Sequence, residues 1–216
     1  MNQEEPGSFK GWDKVNEIYI GRPSDINVGN GKTVSAVAAT IDDWLEHEEK
    51  TIFSNIKLKG VPYKPFNPDS IEEVLETDDA LVILDELHAI IHKNHKIGEG
   101  CGKHSIRGLC YRLSEFYRQV RKRNINSRAS CQTFQDAHYQ FRTLMQQQIL
   151  CEKFHLEGNR LKKCDSDKCP NDHRHYIKQK LYRNFNFVKE LPLFDPEPYY
   201  EYYNSYEIVD GWVTYE

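Results

Sequence analysis

Two glycines, a lysine and a threonine lie together in the stretch Gly29-Asn30-Gly31-Lys32-Thr33, between an apolar run at 18–20 and a helix-like run at 34–45. Glycines let backbone N–H groups turn toward an anion, and the N-terminus of the following helix adds a partial positive charge. In such a loop Lys32 would reach the β- and γ-phosphates of a nucleotide, and the Thr33 hydroxyl would bind Mg²⁺. The residues predicted to contact the nucleotide are therefore Gly29, Asn30, Gly31, Lys32, Thr33 and Val34.

The glycine spacing of this stretch departs from the usual phosphate-binding loop, which has its first glycine about five residues before the second. That position is Ile26, whereas Gly21 directly follows the apolar run. We interpret residues 21–23 and the stretch from Gly29 as two halves of one loop, separated by an insertion around residues 24–28. The alternative is a glycine-rich turn in which Lys-Thr occurs by chance.

An acidic pair, Asp85-Glu86, follows a continuous apolar run at 80–84. Such a run between acidic residues predicts a buried parallel strand. At the tip of that strand Asp85 would hold Mg²⁺ through water, and Glu86 would polarise the attacking water. A core strand that ends in a solvated acidic turn is the alternative, but the two motifs occur in the order that a nucleotide-hydrolysing site requires.

Gln132 follows another predicted strand, at 125–130. A polar side chain at such a strand end can lie near the γ-phosphate, where many nucleotide-driven proteins sense the nucleotide state. We predict this role for Gln132, and an ordinary loop glutamine is the alternative.

The elements that must position these residues alternate between strands and helices. Apolar residues recur at helical spacing in 34–45 and 106–123, and further helices are predicted to start near residue 70 and to cover 136–148. Strands are predicted at 18–20, 51–58, 80–84 and 125–130. This order predicts an α/β fold with a mainly parallel sheet, right-handed crossovers and a site at the carboxyl edge.

Charge is distributed unevenly along the chain. Residues 190–216 contain seven acidic residues and no Lys or Arg, so the rest of the chain carries 29 basic and 26 acidic residues. The basic stretch at 103–128 could face a polyanion or form a solvated helix face. No run approaches the roughly 18 apolar residues of a membrane span, and the polar N-terminus lacks a cleavable signal, so we expect an intracellular protein.

A cluster of cysteines and histidines lies near the C-terminus. Its members are Cys164, Cys169, His173 and His175. Their spacing fits a structural Zn²⁺ site at the tip of a hairpin formed by 150–156 and 176–182. The two cysteines and one of the two histidines would supply three ligands, and the fourth would be the second histidine, Cys151 or His155. A polar loop with two free thiols is the alternative.

Together these motifs resemble the FtsK/HerA-like branch of P-loop ATPases, close to zonula occludens toxin-like proteins of filamentous phages and to archaeal-virus genome-packaging ATPases. The resemblance covers about residues 15–145 and is carried by 18–23, 29–33, Thr-Ile-Phe-Ser-Asn-Ile-Lys-Leu-Lys-Gly at 51–60, Val-Ile-Leu-Asp-Glu at 82–86, Arg-Lys-Arg-Asn-Ile-Asn at 121–126, Ser-Cys-Gln at 130–132, and Arg142.

This resemblance implies a P-loop NTPase fold of the RecA/FtsK type and an oligomeric, usually ring-forming motor that hydrolyses ATP to move DNA. It also implies that a basic residue of one subunit completes the neighbour's site. The candidates are Arg121 and Arg123, with Arg118 third. A DNA-facing or solvated helix end is the alternative for this cluster.

We therefore expect four segments: a lead-in (1–14), a P-loop ATPase core (15–148), a zinc-binding hairpin (149–185) and an acidic, tyrosine-rich tail (186–216). The expected function is packaging or translocation of double-stranded DNA in the host cytoplasm, or in association with a virion. A capsid or membrane-vertex protein would be a further partner. The alternatives are a nucleotide-dependent assembly or export factor, and a zinc-dependent nucleic-acid-binding module with a degenerate loop.

Overall fold

The structure is a computed structural model, and it describes residues 16–21, 29–91, 106–120, 122–164 and 174–208. The helices in these ranges are α1 (Lys32–Glu46), α2 (Ile71–Glu76), α3 (Leu87–Ile90), α4 (Ile106–Gln119), α5 (Tyr139–Leu144) and a 3₁₀ helix (Glu197–Tyr202). The strands are β1 (Asn16–Ile20), β2 (Thr51–Ser54), β3 (Ile56–Leu58), β4 (Lys64–Pro65), β5 (Ala80–Leu84), β6 (Asn126–Cys131), β7 (Gln147–Glu157), β8 (Arg160–Lys163), β9 (His175–Arg183), β10 (Asn186–Glu190) and β11 (Tyr203–Ile208).

Among the described strands, six run parallel in one sheet, in the order β7-β1-β6-β5-β2-β4, with β4 at the edge. β9 and β10 extend this sheet antiparallel beyond β7, and β8 pairs with β7. Parallel strands require crossover connections, and α1, α2, α3, α4 and α5 all lie in such connections. The connection between β2 and β4 contains β3 instead of a helix. The predicted α/β fold with a mainly parallel sheet is confirmed.

Two hydrophobic cores lie on opposite faces of the sheet. In β5, Val82 belongs to the cluster that contains Phe116 of α4, whereas Ile83 belongs to the cluster that contains Ile41 of α1. Because successive side chains of a strand point to opposite faces, a strand covered on both sides must be apolar throughout. This explains the uninterrupted apolar run in β5. Polar residues that could take part in chemistry therefore occur only after the carboxyl end of this strand.

The C-terminal part of the described chain lies against α1 and β3 of the same chain. β11 pairs antiparallel with β3, and the Tyr199 hydroxyl donates a hydrogen bond to Asp42 Oδ1 of α1 at 2.7 Å. The Lys59 backbone N–H also donates to the Tyr202 carbonyl oxygen at 2.7 Å. This aromatic segment therefore covers α1, the helix that follows the glycine-rich stretch.

Two predicted elements differ from those in the structure. The strand predicted at 51–58 is divided at Asn55 into β2 and β3, which belong to different sheets. Of the helix predicted at 136–148, the structure contains only α5. The helix ends there because Met145 is extended and β7 begins two residues later. None of the described helices is long and apolar enough to span a membrane.

The predicted hairpin at 150–156 and 176–182 corresponds to β7 and β9, which pair antiparallel. β7 also pairs with β1, so this hairpin continues the central sheet. The proposed boundaries between segments remain a prediction.

Candidate nucleotide-binding site

The glycine-rich stretch joins the carboxyl edge of the sheet to the N-terminus of α1. Gly21 follows β1 directly, and its N–H donates to the Gln132 carbonyl oxygen at 3.0 Å. Among the described residues, no side chain caps the N-terminus of α1, and no acidic residue lies in its first turn. An α-helix that starts without a cap presents N–H groups and partial positive charge to an anion. Ile26, and with it the predicted insertion, lies outside the described residues.

The backbone conformation and the packing at position 31 both require glycine. Its φ of +80° is in the left-handed region, where a residue with a Cβ is strained. A Cβ at this position would also lie only 2.1 Å from Cδ1 of Ile177 in β9. The turn before Lys32 is thus fixed by direct packing of the antiparallel strands against it.

Thr33 and Asp85 come into direct contact although 52 positions separate them in sequence. The Thr33 hydroxyl donates to Asp85 Oδ1 at 2.7 Å, between the first turn of α1 and the carboxyl end of β5. Hydroxyl and carboxylate oxygens are suitable ligands for Mg²⁺, which prefers hard oxygen donors. The donor set therefore fits the metal that the sequence implied.

The acidic pair is held from both sides by neutral side chains. Asn55, at the end of β2, donates from Nδ2 to the Asp85 carbonyl oxygen at 2.9 Å and accepts from the Asp85 N–H at 2.7 Å. Ser130 in β6 donates to Asp85 Oδ1 at 2.5 Å and accepts from the Glu86 N–H at 3.0 Å. Four hydrogen bonds from the two neighbouring strands thus fix this turn.

Sequence reasoning assigned no role to Asn55 or Ser130. A signal was available, because both lie where a parallel strand meets the carboxyl edge of the sheet, as Asp85 does. Their pairing with the acidic turn depends on strand order, which the sequence pattern leaves open.

Glu86 is in an unusual conformation and environment. Its φ of 52° is in the left-handed region, which is uncommon for a residue other than glycine. Burial and the neighbouring Asp85 carboxylate raise the pKa of Glu86, and the Lys32 ammonium group opposes that shift. His88 Nε2 lies 3.1 Å from Glu86 Oε2. The Glu86 carboxyl group therefore has a higher proton affinity than an exposed glutamate. The basic ring of His88 lies beside it.

The structure brings most of the predicted site residues to one edge. Lys32 and Thr33 begin α1, Asp85 and Glu86 follow β5, and Gln132 follows β6, which pairs with both β5 and β1. The role of each in binding or catalysis remains a prediction.

The arginine candidates lie elsewhere. Arg123 precedes β6 at the opposite edge of the sheet, where its Nη1 is 3.7 Å from Asp78 Oδ1. Arg118 forms an ion pair with Glu115 on α4, and Arg121 is outside the described residues. Arg123 therefore lies at the edge of the sheet opposite to the acidic turn of its own chain.

The Cys/His cluster is only partly described, because Cys169 and His173 lie outside the described residues. Among residues 16–21, 29–91, 106–120, 122–164 and 174–208, no group of three or more His, Cys, Asp or Glu side chains could hold a metal ion. Cys164 Sγ lies 3.2 Å from His155 Nδ1, and His155 is paired in register with His175. Cys151 is buried beside Ser35 of α1. The predicted Zn²⁺ site is not confirmed.

The expected resemblance is confirmed at the level of fold, because the chain has the same fold as solved structures of a viral genome packaging NTPase. The chain is similar to the genome packaging NTPase B204 from Sulfolobus turreted icosahedral virus 2. With the AMP complex the TM-score is 0.51 and the identity 12%, over 84% of this chain and 99% of that chain. With the AMPPCP complex the TM-score is 0.50 and the identity 11%, over 84% and 99%.

A weaker similarity is to the N-terminal domain of zonular occludens toxin from Neisseria meningitidis, with a TM-score of 0.46 and 14% identity over 91% of this chain and 96% of that chain. No protein-family model matches the sequence, and no curated protein is significantly similar to it. At these identities the structural similarity establishes the fold, and function must be argued from the site.

Proposed function

We propose that this protein is an ATPase whose hydrolysis cycle moves double-stranded DNA, as a genome-packaging motor does. The observation that carries the proposal is the contact between Thr33 and Asp85, with Glu86 held beside it by Ser130. A Mg²⁺-binding oxygen pair and a carboxylate with raised pKa at one end of a helix are the parts that phosphoanhydride hydrolysis requires.

The division of roles follows from the chemistry of each side chain. Backbone N–H groups of residues 29–34 and the Lys32 ammonium group would bind the phosphate oxygens. Thr33 and Asp85 would hold Mg²⁺, which neutralises phosphate charge when bound. Glu86 would accept a proton from a water whose oxygen bonds to the γ-phosphorus while the bond to the bridging oxygen of ADP breaks. Gln132 would contact the γ-phosphate.

A charge-stabilising arginine would come from a neighbouring subunit. Such a residue can accelerate phosphoryl transfer by about three to five orders of magnitude. Arg121 and Arg123 remain the candidates, and the distance of Arg123 from its own chain's acidic turn supports action in trans, hence a homo-oligomeric ring.

Double-stranded DNA as the moved polymer is supported by two observations. The structural neighbour B204 is described as a genome packaging NTPase. The chain outside its acidic tail also has an excess of basic residues. We place the protein in the host cytoplasm or on the assembling virion, with a capsid or membrane-vertex protein as a further partner.

The test is ATP turnover with and without double-stranded DNA, for the native protein and for Lys32→Ala. Lys59→Ala is the matched control, because Lys59 is an exposed lysine in the β3–β4 loop. Turnover that rises with DNA, disappears in Lys32→Ala and persists in Lys59→Ala supports the motor. Turnover that is equal in both variants contradicts it.

The contact between Glu86 and His88 favours a second candidate function. A carboxylate engaged by a neighbouring ring is not free to accept a proton from water, so the protein could bind nucleotide without hydrolysing it. This would suit a nucleotide-dependent assembly or export factor. Nucleotide binding without turnover, with or without DNA, would favour this candidate.

We also propose a structural Zn²⁺ ion held by Cys164 with Cys169 and His173 or His175. The 3.2 Å approach of His155 to Cys164 supports His155 over the buried Cys151 as the additional ligand. Metal content by mass spectrometry tests this: Cys164→Ser should lose about one equivalent of zinc, and Cys131→Ser should retain it. If the native protein contains no zinc even when it is produced in zinc-supplemented medium, this proposal is refuted.

A further inference from the structure

Strand β7 continues past the point where its parallel partner β1 ends. Ile20, the last residue of β1, is paired with Leu150, whereas β7 runs on to Glu157. Because the two strands are parallel, residues 151–157 extend beyond the carboxyl end of β1, on the side of the sheet where the glycine-rich stretch begins. Their side chains alternate between the two faces of the sheet, and one of these faces is turned toward α1.

Two contacts identify the side chains of β7 that face α1. Cys151 Sγ lies 3.8 Å from Ser35 Oγ, near the start of α1. Lys153, two residues later on the same face, is paired in register with Ile177 of β9, the residue that packs against Gly31. Directly opposite residues of an antiparallel pair have Cβ atoms about 4.5–5.5 Å apart. Lys153 therefore lies level with the N-terminus of α1 and with the glycine-rich stretch.

The backbone of Lys153 is fixed, whereas its side chain has no partner within the protein. Its carbonyl oxygen accepts a hydrogen bond from the Cys164 N–H at 2.9 Å, and the ladder to β9 holds its other side. The residue is partly exposed, and in the part of the chain that the structure describes its ammonium group forms no ion pair or hydrogen bond. The next carboxylate on this face of β7, Glu157, is paired with Lys162. Lys153 thus places an uncompensated positive charge near the start of α1.

The order of the strands decides which part of a nucleotide this charge would meet. In the order β7-β1-β6-β5, Lys153 lies on one side of the glycine-rich stretch, and Asp85 and Glu86 lie on the other. The γ-phosphate must lie beside Glu86 if that residue activates the attacking water. The α- and β-phosphates then extend away from Glu86, toward β7.

We propose that Lys153 is a further nucleotide-binding residue, whose ammonium group binds the α- and β-phosphate oxygens from the side of β7. This inference rests on the proposed ATPase function, because it adds a residue to the same site. A lysine ammonium group is a compact charge with three donors on a flexible stem, so it can bind oxygens of two adjacent phosphates. Since ADP and ATP share these phosphates, Lys153 should contribute equally to the binding of both.

The test is calorimetric binding of ADP and of AMPPCP, each with Mg²⁺, to the native protein and to Lys153→Gln. Loss of a charged hydrogen bond at a partly exposed position should weaken the binding of both nucleotides about tenfold. In steady-state kinetics the same variant should raise KM for ATP more than it lowers kcat, and Lys153→Arg should restore most of the affinity. Native affinity in Lys153→Gln, or a loss for AMPPCP alone, overturns the inference.

Lys178→Gln is the matched control. Lys178 follows Ile177 in β9, so its side chain points to the opposite face of the sheet, where its Nζ lies 2.9 Å from Glu190 Oε2. The variant removes the same charge from the neighbouring strand and should bind ADP as the native protein does. An equal loss of affinity in Lys178→Gln and Lys153→Gln would indicate attraction by net charge alone and would overturn the inference.

Lys32→Ala separates failure of this inference from failure of the proposed function. If the native protein binds neither ADP nor AMPPCP, the nucleotide site itself is wrong, and the role of Lys153 is refuted with it. If Lys32→Ala loses binding while Lys153→Gln keeps native affinity, the ATPase proposal stands and only the role of Lys153 is refuted. Melting temperatures measured without nucleotide should be close to native for Lys153→Gln, because its ammonium group has no partner to lose.

Discussion

Asn55→Ala tests whether the acidic turn depends on the strand beside it. The asparagine is 2% exposed and makes hydrogen bonds with both the N–H and the carbonyl oxygen of Asp85. Alanine leaves a buried donor and a buried acceptor unpaired, and each costs about 1–3 kcal/mol. We therefore expect the free energy of unfolding to fall by roughly 2–4 kcal/mol, which lowers the melting temperature of a chain of this size by about 5–15 °C.

The effect on turnover should exceed the effect on folding. Asp85 and Glu86 are consecutive. Loss of the Asn55 hydrogen bonds on one side of this turn should therefore displace both the Mg²⁺ ligand and the proposed base. A displacement of about 1 Å can reduce a catalytic rate about 100-fold. Steady-state kinetics at saturating ATP, measured well below the melting temperature of the variant, should show a lower kcat with a smaller change in KM.

Asn67→Ala is the matched control for this prediction. The Asn67 side chain also accepts hydrogen bonds from two backbone N–H groups, those of Asp69 and Ser70, in the turn before α2. The Asn67→Ala variant should therefore be less stable than the native protein and keep the native kcat. If Asn55→Ala is destabilised but retains native kcat, Asn55 does not position the site; if its melting temperature is unchanged, the hydrogen bonds described here do not form.

Three further perturbations probe other contacts. Gly31→Ala should destabilise the fold by roughly 2–5 kcal/mol in urea unfolding, because its Cβ would meet Ile177 and its backbone is left-handed; an unchanged midpoint would contradict this packing. The raised pKa of Glu86 means that its protonated form persists above the ordinary value of 4.5, so turnover should rise with pH through that raised pKa, and Glu86→Gln should remove this limb of the pH–rate profile. Arg128→Met should cost about 3–5 kcal/mol at neutral pH by leaving buried carboxylates unpaired, and this deficit should shrink in acid as Asp43 is protonated; a constant deficit would mean that the lost interaction is not ionic.

The acid dependence of the last variant has a defined sign. Burial acts to raise the pKa of Asp43, but Arg128, Lys50 and Asn126 together outweigh it and the pKa is lowered. A carboxyl group with a lowered pKa in the folded state stabilises the protein at neutral pH, and that stability is lost as the pH falls through the lowered pKa. Arg128→Met removes the largest of the lowering influences.

The strands and helices could be predicted where burial leaves a simple pattern. β5 is covered on both faces, so its apolar run was unambiguous, and the acidic residues after it marked the edge where chemistry occurs. Gly31 and Lys32 were recognisable because a phosphate-binding loop needs their residue types in sequence. These features depend on residues that are close together in the chain, so they can be recognised from one sequence alone.

The break at Asn55 shows why other features could not be predicted. Residues 51–58 have the composition of one strand, yet Ser54 bonds to the backbone of Ile56 and Asn55 bonds to Asp85. These side-chain bonds end the ladder at the point where the chain leaves the sheet. The partner of Asn55 is 30 positions away in sequence, so only the adjacency of β2 and β5 reveals this bond.

The two edges of the sheet are built from different interactions, and this difference bears on function. At the carboxyl edge, the neutral side chains of Asn55 and Ser130 fix the turn that contains Asp85 and Glu86. At the opposite edge, Arg128 neutralises Glu17 and Asp43 within the protein. The carboxylates held in this way at the first edge are the ones proposed for hydrolysis. At the second edge the ion pairs serve the fold instead, because loss of Arg128 would leave Glu17 and Asp43 buried and unpaired.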